Sequence, residues 1–339
     1  MTLNHRIAAL LSLGELLANL PEEQLQPLAR QAAFQNSWFT PDNVRAAISS
    51  MANMLESDQM LEWISRYQIP NPQSPKNIGV VMAGKIPFAG FHDALTVFLS
   101  GHKLMARLSS QDTVIPTWVL GQLMKLEPAF QEYINLVDRV NNADAIIATG
   151  SDNSARYFEY YFSSKPHIIR HNRNSIAILT GEESPSDFNG LAEDIFRYFG
   201  LGCRSVSKLY VPPGYDFIPL LDRLVQWPAL NEHSKYFNNY EYNRAVYLIN
   251  ALHHLDTGTL LLIQNKSISS PVGVLHFEEF SNIGALRTEL TSLDERLQVI
   301  VSTDNQIMPD SVRPGEAQHP KLWDYADGVD TLKFAIGLS

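Results

Sequence analysis

Apolar residues in the first part of the chain recur at the spacing of amphipathic helices. The pattern predicts helices over residues 3–20, 23–34 and 42–66, and a proline-rich stretch at 70–75 then ends it. These helices carry no grouping of residues with evident chemistry. They are therefore interpreted as a packing layer or a subunit contact.

The pattern changes at Asn77, where a continuous apolar run begins that is typical of a strand buried on both faces. Short apolar runs then alternate with helical patterns. The predicted strands are 78–83, 103–108, 133–140 and 145–148, with helices at 88–100, 115–126 and 153–162. Such alternation predicts a doubly wound parallel sheet that binds ligands beyond the carboxyl ends of its strands. The residues placed at this edge are Gly84, Lys85, Arg107, Ser109, Gly150 and Ser151.

A second α/β segment follows the first. Its predicted strands are 167–170, 175–179, 206–211, 260–263, 272–277 and 297–301. One predicted helix starts near Asp187, a second spans 216–227, and a third lies within 233–250. The fold class is therefore α/β, with two doubly wound α/β domains behind an N-terminal helical segment.

Composition narrows the classes of function. The formal net charge is −10 with no basic run, which argues against nucleic acid or an anionic membrane as a partner. A single cysteine excludes an intramolecular disulfide, and the ten histidines do not fall into metal-ligand spacing, so no metal site is expected. No apolar run is long enough to span a bilayer, and the N-terminus has the pattern of a helix rather than a signal peptide. A cytoplasmic protein is expected.

The single cysteine, Cys203, lies between a predicted helix and a predicted strand. Gly200 and Gly202 allow a sharp turn and a close approach by a ligand, and Arg204 favours the thiolate, which is the nucleophilic form. The alternative interpretation is a small buried apolar side chain, and both interpretations stay open at this point.

Two common signatures are absent from the sequence. There is no Gly-x-Ser-x-Gly of a serine hydrolase and no Gly-x-Gly-x-x-Gly of a dinucleotide fold. Thr149-Gly150-Ser151, at a strand–helix junction, could still offer N–H groups to a phosphate.

Several segments in one order resemble the aldehyde dehydrogenase superfamily and, more narrowly, bacterial acyl-CoA reductases of the LuxC type. The resemblance covers roughly residues 75–335. The segments that carry it are Val81-Met82-Ala83-Gly84-Lys85-Ile86-Pro87, Ala148-Thr149-Gly150-Ser151, Phe199-Gly200-Leu201-Gly202-Cys203-Arg204 and Asp324-Tyr325-Ala326-Asp327-Gly328-Val329-Asp330-Thr331.

The resemblance implies an N-terminal helical segment at 1–75, a dinucleotide-binding domain at 76–184, a catalytic domain at 185–310 and a C-terminal segment at 311–339. It implies that Cys203 attacks an acyl thioester. The nicotinamide dinucleotide would lie along the residues that follow the strands, namely Gly84, Arg107, Ser109, Thr149, Gly150 and Ser151. Ser110 stands where NAD-preferring relatives carry Glu, so Arg107 has no carboxylate at that position beside it. This favours NADPH as the cofactor, with NADH as the alternative.

The chain also departs from the superfamily pattern. Lys85 aligns with the Asn that donates to the oxyanion. The stretch 168–172 lacks the Glu that activates water, and 267–271 lacks the Glu that holds the nicotinamide ribose. The expected proton donor is His171 or His319.

The function expected from the resemblance is NADPH-dependent reduction of a long-chain fatty acyl-CoA to the aldehyde through an acyl-cysteine intermediate. One alternative is an acyltransferase or thioesterase that uses Cys203. Another is a degenerate, non-catalytic member that binds an acyl group or a nucleotide. Acyl-CoA is the expected partner, and a homo-oligomer stays open.

Overall fold

A computed structural model describes residues 1–227 and 230–338, except the side chain of Asp152. Its contacts divide the chain into two compact units. The first unit comprises Met1–Asn172 with Lys321–Ser339, and the second comprises Arg173–Pro320. Pro228, Ala229 and Ser339 lie outside the described residues, so the predicted catalytic domain and C-terminal segment are described without them.

The N-terminal helices of the first unit are α1 (Leu3–Ala18), α2 (Glu22–Gln35), α3 (Pro41–Met54) and α4 (Ser57–Ser65). The single predicted helix over 42–66 is wrong, because the chain turns at Leu55. Leu55 is buried against α1, where a Cβ on Gly14 would lie 2.6 Å from the Leu55 Cβ. Buried apolar residues continue on both sides of this turn, so their spacing does not reveal it.

The first unit holds a parallel sheet of β1 (Asn77–Val81), β2 (Lys103–Arg107), β3 (Ile134–Leu136), β4 (Ala145–Thr149) and β5 (His167–Arg170). The strand order is β3-β2-β1-β4-β5. The order reverses between β1 and β4, which opens a crevice at the carboxyl ends of these strands. The predicted strand over 133–140 is confirmed only for the short segment of β3.

The helices that connect these strands are α5 (Phe91–Ser100), α6 (Val114–Leu126) and α7 (Asp152–Phe162). Helix α5 begins three residues later than the predicted Phe88. Phe88 has a φ of +49°, outside the helical range, and its N–H donates to the Asp112 carboxylate at 2.5 Å. Gly101 ends α5 with a φ of +81°, as the sequence predicts.

The strands of the second unit are β6 (Asn174–Ile178), β7 (Val206–Val211), β8 (Leu255–Asp256), β9 (Leu261–Gln264), β10 (Val274–Glu279) and β11 (Leu297–Ser302). They follow the order β11-β6-β7-β10-β9-β8, and every pairing is parallel except that of β8 with β9. Both sheets have the predicted α/β character, which confirms the fold class.

The helices of the second unit are α8 (Pro185–Phe196), α9 (Ile218–Leu224), α10 (Ser234–Ile249) and α11 (Ile283–Ser292). Helix α9 is shorter than the predicted 216–227, and α11 was not predicted. A last helix, α12 (Thr331–Ile336), returns to the first unit and packs on α5. None of the helices in the described part of the chain combines the length and apolar character needed to cross a bilayer.

Candidate active site

A cavity of about 580 Å³ lies at the carboxyl ends of β1, β2 and β4 in the first unit. Most of the cofactor-binding residues predicted from the sequence line it, namely Arg107, Ser109, Thr149 and Gly150. Its volume falls within the usual range of ligand pockets. The cavity therefore stands at the switch point of the sheet, where α/β folds bind their ligands.

Gly84 and Ser151 adjoin this cavity without lining it. A Cβ on Gly84 would lie 2.3 Å from the Ser109 Oγ, so only glycine allows the loop after β1 to pass the loop after β2. Ser151 is the N-cap of α7, where its Oγ accepts the Ser154 N–H at 3.3 Å. Gly150 has no room for a side chain either, because a Cβ there would lie 2.8 Å from the Ser154 Cβ.

Arg107 stands exposed at the end of β2, where its Nε donates to the Asp138 carbonyl at 3.1 Å. Asp138 lines the same cavity, so a carboxylate and a guanidinium share it. Sequence reasoning missed Asp138 because it follows a strand whose limits were unclear. Its position two residues beyond the end of β3 is the signal that could have identified it.

Asp112 links the two loops that flank the cavity. Its Oδ2 accepts the Phe88 N–H, and the whole side chain is buried. Within the described residues, Oδ1 has no hydrogen-bond partner. Burial raises the pKa of Asp112 to about 7, and the bond from Phe88 opposes the rise.

Cys203 is exposed in the second unit, within a turn closed by the Ser205 N–H donating to the Gly202 carbonyl at 3.1 Å. The interpretation as a buried apolar side chain is therefore wrong. The Cys203 carbonyl accepts the Oγ of buried Ser175 at 2.9 Å. This bond ties the turn to the beginning of β6.

The backbone that leads to Cys203 is strained. Tyr198 and Phe199 have φ values of 54° and 58°, and Gly200 follows at 73°. A left-handed conformation costs a residue other than glycine about 1–3 kcal/mol. The Phe199 ring stacks on His233 with a centroid separation of 4.1 Å, which helps to hold this conformation.

A buried carboxylate on α8 binds the segment that contains His319. The Asp194 carboxylate accepts the Gly315 N–H at 2.7 Å and the Ala317 N–H at 3.1 Å. Burial raises the pKa of Asp194 to about 7, and these two bonds oppose the rise. The Gln318 Nε2 contacts the Ser205 Oγ at 3.4 Å, beside the turn of Cys203. His319 is exposed directly after Gln318.

The other two predicted catalytic residues belong to the first unit. Lys85 is exposed in the loop after β1. His171 is exposed, and its Nε2 lies 3.1 Å from the Glu159 carboxylate. The preceding residue, Arg170, is buried and pairs with Asp93 at 2.6 Å. The candidate site residues are thus divided: Cys203 and His319 are in one unit, and Lys85, His171 and the cavity residues are in the other.

A family model of acyl-CoA reductases, LuxC, matches residues 16–216. This match spans more than half of the chain and includes both the cavity residues and Cys203. The chain belongs to the LuxC family of acyl-CoA reductases. It is therefore an oxidoreductase that acts on acyl or aldehyde groups. A search of curated proteins found no match.

Several solved structures similar to this LuxC family member are aldehyde dehydrogenases. Aldehyde dehydrogenase 21 of Physcomitrella patens, in complex with succinate, is 12% identical with a TM-score of 0.70, over 99% of this chain and 84% of that one. An NAD-dependent aldehyde dehydrogenase of Sinorhizobium meliloti is 13% identical with a TM-score of 0.64, over 92% of this chain and 74% of that one. Indole-3-acetaldehyde dehydrogenase of P. syringae, in complex with NAD+, is 11% identical with a TM-score of 0.65, over 91% of this chain and 73% of that one. These likenesses show that the LuxC family member has the aldehyde dehydrogenase fold.

Replacement of Asp112 by Asn should remove part of the pH dependence of stability. In the unfolded chain the carboxyl titrates near 3.8, and in the folded chain near 7. The folded chain binds more protons between these values, so the free energy of unfolding falls as pH rises through this window. From pH 5 to pH 8 the wild type should lose roughly 1–4 kcal/mol relative to Asp112→Asn.

Denaturant unfolding at several pH values measures this difference. Asp58→Asn, at an exposed position on α4, is the matched control and should keep the wild-type profile. Asp194 titrates in every variant and cancels in the comparison. Identical profiles for wild type and Asp112→Asn would contradict the raised pKa.

Proposed function

We propose that this chain reduces a long-chain fatty acyl-CoA to the aldehyde with NADPH, through an acyl thioester on Cys203. The observation that carries the proposal is the exposure of Cys203 on a strained loop, in a chain of the acyl-CoA reductase family. An exposed cysteine is accessible to a thioester, which a buried one is not. Strained loops of this kind cluster at functional sites.

In the proposed first step, the Cys203 thiolate attacks the thioester carbonyl and the bond to the CoA sulfur breaks. CoA leaves as the thiolate and takes up a proton, and the acyl group stays on the Cys203 Sγ. The backbone N–H of Cys203 is a candidate donor to the oxyanion. A guanidinium close to the sulfur would favour the thiolate, and Arg204, the next residue, is the candidate for this role.

When bound, NADPH supplies the hydride that reduces the acyl carbon. The hemithioacetal on Cys203 then collapses, which releases the aldehyde and regenerates the thiolate. Among the candidate proton donors, contacts favour His319 over His171. Gln318, the neighbour of His319, contacts Ser205 next to the Cys203 turn, whereas His171 pairs with Glu159. Lys85 remains a candidate for stabilising the oxyanion.

The residues around the cavity suit a dinucleotide. Gly84 allows the loops after β1 and β2 to meet beside the cavity, and Gly150 lines the cavity just before the N-terminus of α7, where a phosphate group would be favoured. Arg107, held by its bond to the Asp138 carbonyl, suits a 2′-phosphate and carries the preference for NADPH. The Asp138 carboxylate would instead accept a hydrogen bond from a free ribose hydroxyl, which NADH has at the 2′ position. NADH is therefore a second candidate.

In this proposal the dinucleotide binds to the domain predicted at 76–184 and the acyl group to the domain at 185–310. The helical segment at 1–75 and the C-terminal segment at 311–339 are the remaining two parts of the proposed domain organisation. The cytoplasmic location and a homo-oligomer remain predictions.

Cys203→Ala should abolish both acyl-enzyme formation and aldehyde production while the fold stays intact. Because Cys203 is the single thiol of the chain, intact mass after incubation with a long-chain acyl-CoA reports directly on this site. The thermal midpoint should change little, since the side chain is exposed. Aldehyde production at the wild-type rate by the alanine variant would contradict the covalent mechanism.

Arg107→Glu should weaken NADPH by about 10-fold or more and NADH much less, because a carboxylate would face the 2′-phosphate. Quenching of cofactor fluorescence measures both dissociation constants. Arg30→Glu, the same charge change at an exposed position on α2, is the control. Equal weakening of both cofactors would contradict the role of Arg107, and tighter NADH than NADPH in the wild type would favour Asp138.

A further inference from the structure

The last residue of α2 has a side chain that binds the loop between β2 and α6. The Gln35 Nε2 donates to the Ser110 carbonyl at 3.0 Å and to the Thr113 Oγ1 at 2.8 Å. Its Oε1 accepts the N–H of Thr113 at 3.0 Å and that of Val114 at 3.4 Å. One carboxamide thus contacts four polar groups where this loop joins α6.

The next residue, Asn36, binds the loop after β1. Its side chain is buried, its Nδ2 donates to the Gly84 carbonyl at 3.2 Å, and its Oδ1 accepts the Trp38 N–H at 3.2 Å. Two consecutive residues of the N-terminal helical segment therefore hold the two loops that meet at Gly84 and Ser109.

These contacts bear on the cavity, because Ser109, Ser110 and Thr113 line it. The Gln35 Oε1 accepts the N–H of Thr113, the N-cap of α6, and that of Val114, its first residue, so these two N–H groups are committed within the protein. A ligand in this cavity meets the loop through its lining side chains. The position of those side chains depends on Gln35.

We propose that Gln35 and Asn36 are positioning residues for dinucleotide binding, which makes the N-terminal helical segment part of the cofactor site. This inference rests on the proposed function of the cavity. It goes beyond the packing role expected for these helices. Without Gln35, binding of the dinucleotide has to order the loop over 109–114. The entropy lost in ordering the loop then lowers the affinity for the dinucleotide.

The test compares Gln35→Ala and Asn36→Ala with Gln31→Ala, an exposed glutamine on the same helix. Dissociation constants for NADPH and for NADH come from fluorescence titration. The rate of Cys203 acylation by a long-chain acyl-CoA, followed by intact mass without cofactor, is the second measurement. Acylation needs no dinucleotide, so it separates positioning of the cofactor site from general damage to the fold.

Gln35→Ala should weaken the binding of the preferred dinucleotide by about 10-fold, which is the scale expected for the loss of several hydrogen bonds to an ordered loop. Acylation should stay within about two-fold of wild type, because the fold is kept, and Gln31→Ala should match wild type in both measurements. In turnover, the KM for the dinucleotide should rise while kcat and the KM for acyl-CoA stay close to wild type. Asn36→Ala should act in the same direction.

Gln35→Glu provides a second variant if the alanine variant does not fold. The carboxylate can accept the two N–H bonds but cannot donate to Ser110 or Thr113, so dinucleotide binding should still weaken. Unchanged affinity in folded Gln35 variants would overturn the inference, as would an equal loss of acylation. A wild type that binds neither NADPH nor NADH would overturn the dinucleotide site itself, whereas unchanged binding in the variants alone would overturn only the role of Gln35.

Discussion

The burial of parallel strands under helices is the constraint on which the site depends. Strands such as β1 and β4 are apolar almost throughout, because both of their faces are covered. Polar chemistry is therefore confined to the loops that connect strands and helices at the edges of the sheets. In the first unit these loops surround the cavity with Arg107 and Thr149, and in the second unit the turn of Cys203 directly precedes β7.

Loops confined to a sheet edge have to be held in place, and buried or half-buried polar side chains perform this task in both units. Gln35, Asn36 and Asp112 bind the loops around the cavity. Ser175 and Asp194 hold the turn of Cys203 and the segment that leads to His319. Each of these groups satisfies backbone donors or acceptors that water would otherwise bind. The same burial raises the pKa of Asp112 and of Asp194 to about 7.

The elements that the sequence predicted well are those in which local pattern and tertiary burial agree. The apolar run from Ile78 and the glycine that ends α5 at Gly101 are examples. The turn at Leu55 and the left-handed Phe88 were missed, because contacts with distant residues override the local pattern there. The flanking glycines single out Cys203 in the sequence, whereas the sequence does not predict that its side chain is exposed. Gln35 acts across 75 to 79 residues of chain, so no local motif reveals it.

The proposed chemistry requires that the acyl group on Cys203 wait for hydride rather than react with water. General-base help to water is worth ~10²–10⁴ in rate, and the stretch 168–172 has no carboxylate to provide it. The most direct measurement is a timed quench: acylate Cys203, remove free acyl-CoA, and follow the adduct by mass and the product with and without NADPH. The account predicts that the adduct persists without NADPH and discharges as aldehyde with it. Rapid loss as free fatty acid, independent of NADPH, would contradict the account and favour a thioesterase.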